Sequence, residues 1–142
     1  MARSAILQPL TRDLIVSVLQ AREFAYFVDD DGDIGGNWES CLIYFFRVGA
    51  REEIFQVRVL PRIPFAMDDV PRLYAFCNAW NHDRLHPKAY VHTNDDGSVQ
   101  VIGEVVTDLE HGVTAEQLDQ VLICGVATGV ELAEAVGNLK QE

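Results

Sequence analysis

Apolar residues near the start of the chain fall at helical intervals. Leu10, Leu14 and Val18 recur every four positions with Ile15 and Leu19 beside them, which predicts an amphipathic helix over 9–22. Thr11 or a polar residue upstream supplies its cap. The period then shortens. Residues 24–28 read as an aromatic strand, and Asp29-Asp30-Asp31-Gly32-Asp33-Ile34-Gly35-Gly36 follows as a loop of residues suited to turns. Residues 41–48 and 53–60 read as strands, the second alternating Phe55, Val57 and Val59 with Ile54, Gln56 and Arg58. Pro61 and Pro64 end that segment. Asp68, Asp69 and Pro71 mark the first turn of a second helix running to about His82. Val70, Leu73, Cys77 and Trp80 form its apolar stripe, and Asn78 and Asn81 lie off it. Residues 88–93 and 98–108 then form a hairpin around Asp96-Gly97. Thr114 with Gln117 has capping-box spacing and opens a long helix carrying Leu118, Val121, Leu122, Val126, Val130 and Ala133. Gly125 and Gly129 on that helix admit another backbone closely, inside the domain or from a second subunit.

The predicted order is α-β-β-β-α-β-β-α: an α+β domain with an antiparallel sheet of about five strands and three helices. One domain spans 1–142, with its core at about 8–137. The strand at 41–46 breaks the alternation of a half-buried strand, being apolar on both faces. Leaving Leu42, Tyr44 and Phe46 in water forgoes about 1.5–3 kcal/mol per large side chain. Either the chain's own helices and loops cover that second face, or a partner does.

Charge narrows the partners. The net charge of −11 disfavours phosphate backbones and anionic membranes, because the 11 Lys and Arg are scattered and build no basic patch. Neither nucleic acid nor membrane is expected as a partner, and a protein partner should be neutral or basic where it touches. Met1-Ala2-Arg3-Ser4 lacks the apolar run of a signal peptide, and no 18-residue apolar window is expected, so the reading is cytoplasmic. Cys41, Cys77 and Cys124 are odd in number and sit among apolar neighbours, as buried free thiols do.

No catalytic constellation emerges. Asp29, Asp31 and Asp33 suggest a calcium loop, but Ile34 stands where an EF-hand needs glycine and Ser40 where it needs glutamate. A solvated turn fits better. His82 and His86 share helix spacing, yet Pro87 ends the helix and no third ligand follows. The glycines at 32–36 match no phosphate loop, and no nucleophile sits beside a base. Any two of the 22 acidic residues could converge in space, so a carboxylate pair carries no information from spacing alone. No catalytic, cofactor or metal residues are assigned. Trp80 belongs to the core by its stripe, whereas Trp38, between the glycine loop and Glu39, is more open.

The Asp29 to Gly36 run resembles the YbjN family of bacterial sensory transduction regulators, taken together with Asn78-Ala79-Trp80-Asn81, Pro87-Lys88-Ala89-Tyr90-Val91, Asp96-Gly97, Glu110-His111-Gly112-Val113-Thr114 and Gln117-Leu118. The resemblance covers about residues 8 to 137. It implies a fold like the type III secretion chaperones and a cytoplasmic, non-enzymatic protein-binding domain that forms a homodimer. A secretion client does not follow from a shared fold. The family brings no catalytic residues, and Trp80, Asn81, Pro87, Tyr90 and Gly112 read as structural. The expected function is a chaperone-like interaction or regulatory module with an unidentified protein partner. The module binds its partner, and itself, through the exposed sheet face or an edge strand, with Leu42, Tyr44, Phe46, Trp38 and Tyr90 as the candidate surface. The alternative is a sensor holding an apolar small molecule between sheet and helices, bordered by Trp38, Tyr90 and Trp80.

Overall fold

The computed structural model describes residues 6–140, and the Met1-Ala2-Arg3-Ser4 start lies outside them. Thr11 caps α1 (Arg12–Ala21), its hydroxyl accepting from the Leu14 amide at 3.1 Å. Then come β1 (Phe27–Val28), β2 (Ile34–Asn37), β3 (Cys41–Val48) and β4 (Ile54–Pro61). A 3-10 turn leads into α2 (Val70–Asp83), followed by β5 (Lys88–Thr93), β6 (Val99–Asp108) and α3 (Ala115–Lys140). The capping box forms as its spacing predicts: Thr114 N donates to Gln117 Oε1 at 3.1 Å and Gln117 N to Thr114 Oγ1 at 3.0 Å.

The strands make one antiparallel sheet in the order β1-β2-β3-β4-β6-β5, six strands rather than about five. The extra strand is β2, whose Gly35 and Gly36 read as turn residues but pair with Tyr44 and Ile43. Both serve close approach: a Cβ on Gly35 would sit 2.5 Å from the Phe27 ring, and one on Gly36 2.7 Å from Trp38. The turn before β2 is accordingly short, with Asp29 N donating to Asp33 O and Gly32 at φ +84°.

The three helices of the described residues lie on one face. Ile15 and Leu19 of α1 and Leu118, Leu122 and Val126 of α3 bury Ile43, Phe45, Phe55 and Val57. Leu73, Cys77 and Trp80 of α2, with Leu132 and Val136 of α3, bury Ala89, Val99 and Val101. The α3 glycines pack inside the domain, since Cβ atoms on Gly125 and Gly129 would meet Val57 at 2.8 Å and Val59 at 2.5 Å. Arg22 at the end of α1 grips Asp119 of α3 through two bonds of 2.6 and 2.9 Å. Cys41 and Cys77 are buried and Cys124 is half-buried. Burial raises both buried thiols, Cys77 to about 11.

One expectation needs correcting. The chain does contain an 18-residue apolar window, within α3, with mean hydropathy 1.4, so that helix is long and apolar enough to cross a membrane. Its high hydropathy has a packing origin, because Leu118, Leu122, Val126, Leu132 and Val136 are the residues laid against the sheet.

Candidate functional site

With every helix on one side, strand alternation delivers the other set of side chains to a helix-free face. The β3–β4 register sets Leu42, Tyr44 and Phe46 opposite Leu60, Arg58 and Gln56. The β4–β6 register adds Glu104 and Val106, and β5 contributes Lys88 and Tyr90 opposite Glu104 and Ile102. The face is therefore continuous across the four central and right-hand strands. Of the surface expected from sequence, Leu42, Tyr44, Phe46 and Tyr90 meet here.

Lateral packing covers these side chains only in part. Tyr44 and Phe46 stack with centroids 5.1 Å apart, and Phe27 from β1 meets Tyr44 edge-on at 5.9 Å. The Arg58 guanidinium lies over Phe46, 5.4 Å from its centroid. Leu42, Tyr44, Phe46 and Leu60 remain half-buried, and Val106 is 53% exposed.

A polar cluster sits within this apolar field. Glu104 is 9% exposed and receives the Tyr90 hydroxyl at 2.6 Å, Arg58 at 3.1 Å and the more distant Lys88 ammonium at 3.8 Å. Burial first, and then the bond to Glu104, push the Tyr90 hydroxyl up to about 12. Arg58 Nε is buried and has no acceptor among the described residues. Sequence reasoning missed Arg58, Lys88, Glu104 and Ile102. Arg58 and Glu104 each occupy a polar position in a strand, a signal that becomes meaningful only with the β4–β6 register.

Trp38 goes elsewhere. Two residues beyond Gly36 in strand phase, it turns to the helix-covered side and meets Phe24 at 5.7 Å and Phe45 at 6.4 Å. Beside it lies an open groove of about 500 Å³ lined by Glu39, Ser40, Val130 and Glu134. Trp80 is buried in the other core cluster with its indole donating to Pro87 O at 3.0 Å. Trp38, Tyr90 and Trp80 thus do not border a common pocket.

The acidic turn is ordered by its own backbone. Asp29 accepts from the amides of Asp31 at 3.0 Å and Asp33 at 2.9 Å, and from the Tyr44 hydroxyl at 3.2 Å. The Asp29, Asp31 and Asp33 carboxylates come within 4.8 Å of one another. Burial, with repulsion from Asp29 and Asp31, raises Asp33, while Arg12 opposes the shift. The turn therefore fastens to the helix-free face through Tyr44.

Residues 11–138 match the sequence profile of the YbjN family, described as "Putative bacterial sensory transduction regulator". The chain belongs to the YbjN family. Among solved structures it is similar to that titled "Crystal structure of YbjN, a putative transcription regulator from E. coli", with a TM-score of 0.78 at 16% identity. That likeness covers 96% of this chain and 97% of the other, and at this identity it speaks to the fold. No curated protein matches the chain. Within the YbjN frame, the motif residues Trp80 and Asn81 both hold backbone. Trp80 binds Pro87 O, and Asn81 bonds the amide and carbonyl of Ala89, each at 2.9 Å.

Proposed function

We propose that this YbjN-family chain is a non-enzymatic, chaperone-like protein-interaction or regulatory module, acting in the cytoplasm, that docks a second copy of itself on its helix-free sheet face. The face itself carries the reading: a row of half-buried aromatic and aliphatic side chains with no helix over it among the described residues. Covering it recovers apolar burial at roughly 25 cal/mol per Å². Two sheet faces pack at about 10 Å separation with their side chains interleaved.

Charge permits a second copy at this face. Two molecules of net charge −11 repel over most of their surfaces. On this face Arg58 and Lys88 offset Glu104, so the acidic excess that drives the repulsion is absent from this cluster. A further protein partner, neutral or basic where it touches, fits the same acidic surround.

Light scattering tests the reading. The wild type should have the mass of a dimer and Phe46→Glu that of a folded monomer, because the variant replaces an aromatic contact of the interface with a carboxylate that is costly to desolvate. A monomeric wild type would count against the reading. For the small-molecule alternative, the groove beside Trp38 is the concavity that a residue expected to border the ligand adjoins. Thermal stabilisation of the wild type by a metabolite, lost in Trp38→Ala, would favour it.

A further inference from the structure

β5 is a terminal strand of the sheet, with β6 on one side and, among the described residues, no strand on the other. Strand phase shows which of its backbone groups look outward. Val99 exchanges bonds of 2.7 and 2.8 Å with Phe65, on the side of β6 away from β5. Thr93, opposite Val99, therefore also points its amide and carbonyl away from their shared ladder, and Val91 and Ala89 follow at two-residue intervals. At Ala89 both outward groups are taken by the Asn81 carboxamide, which fills the place of a neighbouring strand for one residue. At Val91 and Thr93 no partner occurs among the described residues.

The free stretch has a side wall. Tyr74 lies seven residues before Asn81 and hence on the same stripe of α2, and it is 61% exposed. Seven helical residues cover about 10 Å, or about three strand residues. The short connection between α2 and β5 turns the chain back and Asn81 is fixed beside Ala89, so by this count Tyr74 falls toward the level of His92. Beyond Thr93 the hairpin turn presents Asp95 and Asp96 to solvent.

We propose that the free edge of β5 at Val91 and Thr93 takes an extended, basic peptide segment of a partner protein as a seventh strand. Unpaired amides and carbonyls at two-residue spacing specify an extended backbone. Tyr74 offers an aromatic surface to the peptide side chains on the helix side. Asp95, Asp96 and the net charge of −11 select Lys or Arg toward the turn. The site is separate from the helix-free face and stands whether or not a second copy covers that face.

The test is selection of a random displayed peptide library on the immobilised wild type, followed by affinity and amide-exchange measurements with the enriched peptides. Enriched sequences should alternate apolar residues with Lys or Arg. In the wild type they should slow exchange at Val91 and Thr93 and leave Tyr90 and His92, already paired to β6, unchanged. Thr93→Pro removes an outward donor without breaking the ladder and should weaken binding about tenfold. Asn81→Ala frees the Ala89 pair and should tighten binding several-fold, a gain that a purely structural role would not produce. Phe46→Glu should leave binding unchanged. Failure to enrich any peptide, or exchange protection that bypasses Val91 and Thr93, would overturn the proposal. Binding lost in Phe46→Glu would overturn it too, by placing the peptide on the sheet face.

Discussion

Tyr90 donates its hydroxyl to Glu104 Oε1 at 2.6 Å across the β5–β6 pair, holding a nearly buried carboxylate inside an otherwise apolar face. Glu104 has its countercharges in Arg58 and Lys88, so the cluster can be covered without leaving the carboxylate unpaired. Tyr90→Phe removes the shortest of these bonds and should cost about 1–2 kcal/mol in urea unfolding.

The same bond sets a pH dependence. The folded pKa of Tyr90, about 12, lies above the ordinary value of 10, so the folded state holds the proton more tightly than the unfolded chain. Its contribution to stability is full below pH 10 and declines as pH rises toward 12. An ultraviolet titration should show Tyr90 ionising late, beyond the smaller delay that burial and the bond to Asp29 give Tyr44. Tyr90→Phe should abolish that late step and flatten the fall in stability over the same window.

Trp38 separates core from surface. Its ring packs on Phe24 and Phe45 beneath the helix-covered side. Trp38→Ala should therefore cost about 2 kcal/mol, less than a fully buried aromatic, while leaving the solution mass unchanged. Leu42→Ala, on the helix-free face, should instead weaken self-association, as a concentration series by light scattering would show.

Gly129 tests whether α3 is seated as closely as its glycines require. A methyl group there would sit 2.5 Å from Val59 Cγ2, so Gly129→Ala should destabilise the fold by about 1–3 kcal/mol despite its better helix propensity. Adding Val59→Ala should recover part of the loss. A thermal melt of the single and double variants checks the coupling.

Much of this architecture was legible in residue spacing. Leu14, Val18 and Leu19 announced α1, Thr114 and Gln117 the start of α3, and Leu42, Tyr44 and Phe46 a strand apolar on both faces, though not what covers the second one. β2 was hidden because two adjacent glycines look like a turn, and their reason for being there, the rings of Phe27 and Trp38, is tertiary. For the same cause Trp38 looked open: its direction depends on the phase of a strand that propensity does not reveal. Arg58 and Glu104 were invisible as a pair because β6 reaches β4 only after the chain has passed through α2 and β5. Asn81 looked like an off-stripe polar residue, and only the neighbouring Ala89 backbone shows its purpose.

Labelling of a cysteine placed at Val106 tests the central claim most directly. Val106 is exposed on the helix-free face, and Cys41 and Cys77 are buried thiols with raised pKa values that react slowly. In a Cys124→Ser background, Val106→Cys should react quickly with a maleimide at low protein concentration and become protected as concentration rises. A Tyr74→Cys control on α2 should react at a constant rate. Equal reactivity of Val106→Cys at every concentration would contradict the claim that a second copy covers this face.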